Sequence, residues 1–534
     1  MNFDIPPNEI FQRRQEIGLH NSFKMLANFV SSNKEYSLRK DAIKFLGAFK
    51  DLPEHLKDEC YNTLENVLIS DKDLELKCEA ANSLGKLNYK KAIEPLKWIL
   101  EQSNINYRIK LSALKAISDI QFEPELGLFI NYLDSEYKSI RKFVKYKLLD
   151  IQPERLIPIL LEFLGKPISN KHKSEIIKLI GNIISSFNVS YKDSSYLQLK
   201  YPGIITDLMD NKDKLFELFS ILEENKSKLR QSVVTILRVL RPQIDDDLLS
   251  LLDNDDFIIK TNAINVIGQL KIKKGINWLK RNLDDMYHEV SIAAIKALGE
   301  IGDSTVISDL LKVLDVDDYD YQYIDYDMKW YIIDAIKQIC LNDEARSCDF
   351  LVNRLEDSNE MIKENVAFLL GDLKNEKFVD PLLNLLMTSE NLDVTKNSII
   401  ALGKIGEIRA IEPLVELLEN EDVYWLLKKV SVDAIYNIYN KFWFIQNKLD
   451  PEMKRILIQN RAKIIDILKI HLDECHKVKV AIIKFLEKFG DKAAIHALLR
   501  IDDFHKIVKI TAKNAIKTID ERLENEQQIK KKEK

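Results

Sequence analysis

Apolar positions recur along this chain in helical spacing, broken at regular intervals by the same short signal. Four stretches show it: "AANSLGKLNYKKAIEPLKWIL" (Ala80 to Leu100), "AAIKALGEIGDSTVISDLLKVL" (Ala293 to Leu314), "VAFLLGDLKNEKFVDPLLNLL" (Val366 to Leu386) and "IIALGKIGEIRAIEPLVELL" (Ile399 to Leu418). Each reads as an apolar helix ending in Leu-Gly, a polar turn, and a second apolar helix. A small residue stands four before the leucine as Ala80, Ala294 and Ser398, and Ala263 takes that place before Ile267-Gly268. It lets the first helix approach a neighbour closely, and Gly thins the helix near its end. Pro95, Pro381 and Pro413 fall in the opening turn of the second helix, where no amide hydrogen bond is lost. Each pair leaves an apolar face that only the next pair can cover, so the unit predicts an array.

The Leu-Gly position can be followed through Gly47, Gly85, Ser118, Asp150, Gly181, Arg238, Gly268, Gly299, Lys337, Gly371, Gly403, Tyr436, Glu487 and Lys517, most steps being 30 to 34 residues. The predicted fold is all-α: a right-handed α-solenoid of about fourteen helix-pair repeats whose second helices line a concave surface. Residues 1–35 form an N-terminal helical cap, 36–522 the solenoid, and 523–534 a Lys-rich disordered tail. A final half-repeat is expected from about Ile507 to Leu523.

The repeats resemble the HEAT-like repeats named after the phycocyanobilin lyases. The resemblance runs from about residue 36 to 522, is strongest at Ala80 to Leu100, Ile258 to Leu314 and Val366 to Glu419, and is weakest between Asn182 and Leu229. It implies the fold but no single activity, because such repeats serve lyases, hydroxylases and scaffolds alike.

Extra residues in such a stack must leave it. Lengthened steps place irregular insertions near 182–229, 315–329 and 440–470; Asp450-Pro451 in the last reads as a helix start. The middle insertion lies within "LDVDDYDYQYIDYDMKWY" (Leu314 to Tyr331), a stretch that holds six aspartates and five tyrosines. The inter-repeat loops are acidic elsewhere too ("SDKD", "LDSE", "LDNDD", "LDDM", "LEDS", "LENED"), and helix capping accounts for most of those acids. Capping needs one or two, so this stretch has a surplus. An EF-hand loop started at Asp315 would place Asp320 where glycine belongs and Tyr326 where the bidentate glutamate belongs, and the motif fails. The surplus fits protein recognition better: tyrosines offer contact area at small entropic cost, and aspartates steer a basic partner. The candidate partner-binding residues are Asp315, Asp317, Asp318, Tyr319, Asp320, Tyr321, Tyr323, Asp325, Tyr326, Asp327 and Trp330. The competing reading is that the tyrosines pack back onto their own repeats.

Net charge is −5, but residues 1–300 sum to +2, 301–450 to −14 and 451–534 to +7. The acidic block again points to a basic partner. "YKSIRKFVKYK" places Lys138, Arg141 or Lys142, and Lys145 on one helical face beside Tyr137 and Tyr146, a stripe a nucleic acid backbone could follow, yet the acidic total weighs against that as the main task.

Candidate chemistry is sparse. The five cysteines are odd in number and lack CxxC spacing, which suits core or surface thiols of a reducing compartment. "HLDECH" puts His471 and Cys475 at i, i+4, with Asp473 and His476 beside them; two helix-end histidines are the commoner explanation than zinc. Deoxyhypusine hydroxylase, built from similar repeats, needs several His-Glu pairs for its di-iron centre, and this chain has only His288-Glu289. No Gly-rich phosphate loop, GxSxG or paired-carboxylate motif occurs. No catalytic residue, metal, cofactor or obligatory small molecule is assigned. With no leader-like N-terminus and no apolar run of membrane length, the chain reads as cytoplasmic. The function expected is a protein-binding scaffold or adaptor. A lyase-like or modification-factor subunit acting on a chromophore or client protein, and a nucleic-acid-associated repeat protein, stay open beside it.

Overall fold

The computed structural model describes residues 5–31, 35–49, 52–187, 200–222, 227–313, 326–442, 449–470, 475–501 and 505–532. Among these the chain is all-α, α-helices and short 3-10 turns with no strand. It divides into two compact units, Met1–Asp246 and Asp247–Lys534. Each is a stack of helix pairs in which the Leu-Gly helix and its partner form two layers.

The described residues contain fourteen first helices, from Tyr36–Leu46 to Lys506–Lys532, as the period required. The second helices are shorter, such as Ile93–Glu101, Val379–Thr388 and Ile411–Glu419, with Pro95, Pro381 and Pro413 in their first turns. A single 3-10 turn precedes each of these three. Leu84, Ile117, Leu298 and Leu402 are fully buried between the layers, contributing about 1.5–3 kcal/mol each.

The first-helix layer is held backbone to backbone. A Cβ added to Gly85 would lie 2.7 Å from the Cα of Ala116, at Gly268 2.7 Å from that of Ala297, at Gly371 2.6 Å from that of Ala401 and at Gly403 2.7 Å from that of Ala434. Ala80, Ala263, Ala294 and Ser398 are fully buried as their spacing predicted. The residue that receives the preceding repeat's glycine is a different one, two positions before the repeat's own: Ser83, Ala116, Ala297, Ala335, Ala401 and Ala434. Successive second helices are instead bridged by long side chains, Lys97 to Glu125 at 2.9 Å in the first unit and Arg409 to Asp380 at 2.8 Å in the second. Within each unit the first helices therefore form the tighter layer, and a two-layer stack bends toward its tighter side. The first helices, not the second as expected from the sequence, line the inner face.

Five of the joints also use a left-handed residue three past the glycine: Asn88, Lys271, Gly302, Lys374 and Gly406, with φ between 52° and 75°. Two of the five are glycine, where that conformation is free of strain; lysine bears a cost of about 1–2 kcal/mol there. Lys271→Gly and Lys374→Gly are expected to raise the stability of the second unit by about 0.5–1 kcal/mol each, because the glycine's extra freedom when unfolded offsets part of the gain. A shift of the urea midpoint to higher concentration at constant slope checks this.

The ends depart from the period. Helices Pro7–Gln12, Arg14–Ile17 and Leu19–Ser31 precede the first repeat, and Phe11 stacks on Phe45 at 5.0 Å. At the other end, helix Lys506–Lys532 runs through most of the segment expected as a disordered tail. Asp450 opens helix Pro451–Ile470 as predicted, accepting from the amides of Glu452 and Met453 at 3.0 Å. Tyr439, fully buried, donates to the Leu457 carbonyl at 2.7 Å and ties this insertion to the stack. Cys60, Cys78, Cys340 and Cys348 are buried and only Cys475 is partly exposed; burial pushes the Cys60 and Cys340 thiols up to about 12. No helix among the described residues is long and apolar enough to cross a membrane.

Candidate interaction surface

Inter-repeat loops enter the first helices along one edge, where several of the acidic stretches noted in the sequence fall. Its acids are largely spent on local structure. Asp73 accepts from the amides of Glu75 and Leu76, and Asp256 from that of Ile258. Asp71 accepts from the Asp73 amide and pairs with Arg39 of the preceding first helix. Burial pushes its carboxyl up, but these partners outweigh that and hold it below the usual carboxylate range. Asp285 does the same work between the Tyr287 amide, 3.0 Å, and Lys260, 3.1 Å. Asp357 accepts from the Asn359 amide and pairs with Arg354, which hold its carboxyl down. Asp255, Asp284, Glu421 and Asp422 pair with no described cation.

Beside these acids stands a row of large apolar side chains that the repeat consensus does not include. Tyr36, Tyr107, Tyr137, Tyr287, Leu392 and Tyr424 lie at the starts of six first helices, each 37% to 51% exposed, and Met286 is 87% exposed. Tyr107 stacks on Tyr137 and Phe257 on Tyr287, both with ring centroids 4.8 Å apart. His476 and His505 occupy the same place in the last joint, 4.4 Å apart. These three stacks join neighbouring repeats, while Tyr107, Tyr137 and Tyr287 stay 37% to 45% exposed. Its signal in the sequence was an aromatic residue eleven to thirteen before the repeat marker, as at Tyr36, Tyr107, Tyr137, Phe257 and Tyr287.

Of the candidate partner-binding residues, Asp315, Asp317, Asp318, Tyr319, Asp320, Tyr321, Tyr323 and Asp325 lie outside the described residues, as do the side chains of Tyr326 and Asp327, which open helix Tyr326–Asn342. Trp330, in the next turn, is 46% exposed and meets Phe368 of the following first helix edge-on at 5.9 Å. Lys404 covers Phe368 at 4.0 Å, and Lys296 covers Tyr331 at 4.1 Å.

Charge is sorted by layer. In the acidic segment 301–450, the first helices Tyr326–Asn342, Glu360–Leu373, Leu392–Ile405 and Trp425–Phe442 together carry eight lysines against seven acids. The excess negative charge of that segment therefore belongs to its loops and second helices. A basic partner would meet it at the edge and the outer face, not on the inner face.

The other chemistry considered from sequence is reduced by the structure. Cys475 has extended backbone and precedes helix His476–Phe489, so the helical i, i+4 face expected for His471 and Cys475 is not made; His471 and Asp473 lie outside the described residues. Among the described residues no three histidines, cysteines or acids are grouped to hold a metal. Half of the basic stripe is engaged: Arg141 donates to the carbonyls of Ser135 and Glu136, and Lys145 pairs with Glu175 at 2.6 Å. Lys138 and Lys142 remain.

Residues 246–323 and 348–435 match the family model of HEAT repeats. Yeast importin-beta (Kap95p) is similar over 95% of this chain and 84% of its own, at 11% identity and a TM-score of 0.37. An importin beta crystallised in a polyethylene glycol condition is similar over 96% and 77%, at 11% identity and a TM-score of 0.39. The complex of CpcE and CpcF of phycocyanin lyase from Nostoc sp. matches 46% of this chain and 94% of its own, at 16% identity and a TM-score of 0.21. No curated protein matches the sequence significantly.

Proposed function

We propose that this chain is a cytoplasmic scaffold or adaptor that binds another protein, and that its edge of loops and first-helix starts receives a basic partner. The observation that carries the reading is the row of half-exposed aromatic and aliphatic side chains at that edge, interleaved with acids such as Asp255, Asp284, Glu421 and Asp422 that no described cation neutralises. Exposed tyrosine and tryptophan are the residue types on which binding energy concentrates, and unpaired carboxylates raise the encounter rate with a cationic surface. The Asp315 to Asp327 stretch, with Trp330 beside it, concentrates tyrosines and aspartates in sequence and is the leading contact in this reading.

Replacing Tyr319, Tyr321, Tyr323 and Tyr326 by serine is expected to leave the melting temperature within about 2 °C and to abolish retention of a basic partner that the unaltered chain captures from native lysate and releases in a salt gradient. Undiminished capture by the serine variant would remove this stretch from the interface. A fall in melting temperature of about 5 °C or more would assign the tyrosines to the core instead.

A further inference from the structure

We propose that the inner face of the last three first helices, Trp425–Phe442, His476–Phe489 and Lys506–Lys532, binds an acidic segment of a partner protein. This site lies apart from the edge described above and does not depend on it. A groove of about 620 Å³ runs across these helices, lined among others by Asp433, Tyr436, Lys484, Glu487, Lys488 and Arg522.

The charge of the groove follows from which of these groups are already satisfied. Asp433 is paired with Lys429 at 2.6 Å, and Glu487 accepts from Thr518 at 3.3 Å. The Arg522 guanidinium donates to the carbonyls of Glu487, Lys488 and Gly490, closing the end of helix His476–Phe489. Lys488 donates to Asn440 and lies 5.5 Å from the centre of the Tyr436 ring. Lys484 is exposed and has no partner among the described residues. The groove is therefore net cationic, Lys484, Lys488 and Arg522 standing against Glu487 and an Asp433 already paired with Lys429. The helices around it agree: His476–Phe489 carries four lysines against Glu487 alone, and Trp425–Phe442 three against Asp433.

The pattern selects a peptide over a nucleic acid. A phosphate backbone presents an anion at every step and would meet the Asp433 and Glu487 carboxylates along the groove. A peptide can set a carboxylate against Lys484 and Lys488 and place its amide N–H groups at Asp433 and Glu487, with Tyr436 as an apolar wall.

The test uses the full chain and a fluorescein-labelled dodecapeptide of alternating Glu and Ala, read by anisotropy at about 50 mM and 200 mM salt. Binding that weakens with salt is expected. Lys484→Glu with Lys488→Glu should weaken it by about tenfold or more, and Lys484→Ala alone by about threefold, while Lys90→Glu, in the first unit, leaves it within about twofold. Lys484 is exposed, so the single variant keeps the fold, and an unchanged melting curve verifies this. Absence of binding at about 100 μM, indifference to the Lys484 and Lys488 changes, or tighter binding of a twelve-nucleotide dT probe would each overturn the proposal. None of those results bears on capture at the acidic edge.

Discussion

Gly403→Ala is expected to lower the stability of the second unit by about 2–3 kcal/mol, although alanine is the better helix former at any ordinary position. The new Cβ would sit 2.7 Å from both the Cα and the Cβ of Ala434. Neither atom can turn away, because one is backbone and the other is fixed to it. Helices Leu392–Ile405 and Trp425–Phe442 would have to move apart, loosening the contacts around fully buried Leu402 and nearly buried Ile435. Gly203 supplies the contrast: it lies in helix Pro202–Asp210 with nothing within 4 Å of an added Cβ. Gly203→Ala should therefore be neutral or stabilise the first unit by up to about 1 kcal/mol. Denaturant unfolding, read on the transition of the unit concerned, measures both. Equal and favourable effects of the two alanines would mean that the helices are not in backbone contact at Gly403.

Asp372→Asn is expected to cost about 2 kcal/mol at neutral pH, because one carboxylate serves two joints. Asp372 accepts from Lys337 of the preceding first helix at 2.5 Å and from Lys404 of the following one at 2.7 Å. Burial pushes its carboxyl up, but the two lysines outweigh burial and hold it below the ordinary value of 3.8. A carboxylate depressed in the folded state contributes its full stability above its unfolded pKa and loses it as the pH falls through the folded one. The difference between the native chain and Asp372→Asn should accordingly be constant above about pH 5 and shrink as the pH drops below 3.8. Urea midpoints of both chains across that range test it. A gap that stayed constant down to about pH 2 would show that Asp372 acts through packing and not through its charge.

The fold was legible because the repeat marks it with residues that have few substitutes. Gly85, Gly268, Gly371 and Gly403 stand where a Cβ would strike backbone, so the interval between them reports the stack directly. The second half of that contact went unread. Ala297, Ala401 and Ala434 look like ordinary helix alanines until the preceding glycine is seen resting on them. The assignment of the inner face was reversed for the same reason, since closeness between first helices is a distance and not a composition. Capping by Asp73 and Asp256 was legible from their position before a helix, whereas the pairing of Asp285 with Lys260 spans 25 residues and leaves no local pattern. Charge misled when added along the chain, because consecutive residues pass from first helix to loop to second helix. The lysines of Leu392–Ile405 and the acids of the second helix Ile411–Glu419 are close in sequence and belong to different faces.

The two layers also differ mechanically. Contacts between Gly and Ala backbones have almost no slack, whereas an Arg409–Asp380 bridge can lengthen by rotating side-chain bonds. Flexing of either unit should then leave spacings along the first helices nearly constant and change those along the second. The first-helix layer would act as the inextensible spine, with the outer helices fanning open and shut around it. A ligand seated across several first helices would keep its register through such motion, while one bridging second helices would feel every bend as strain.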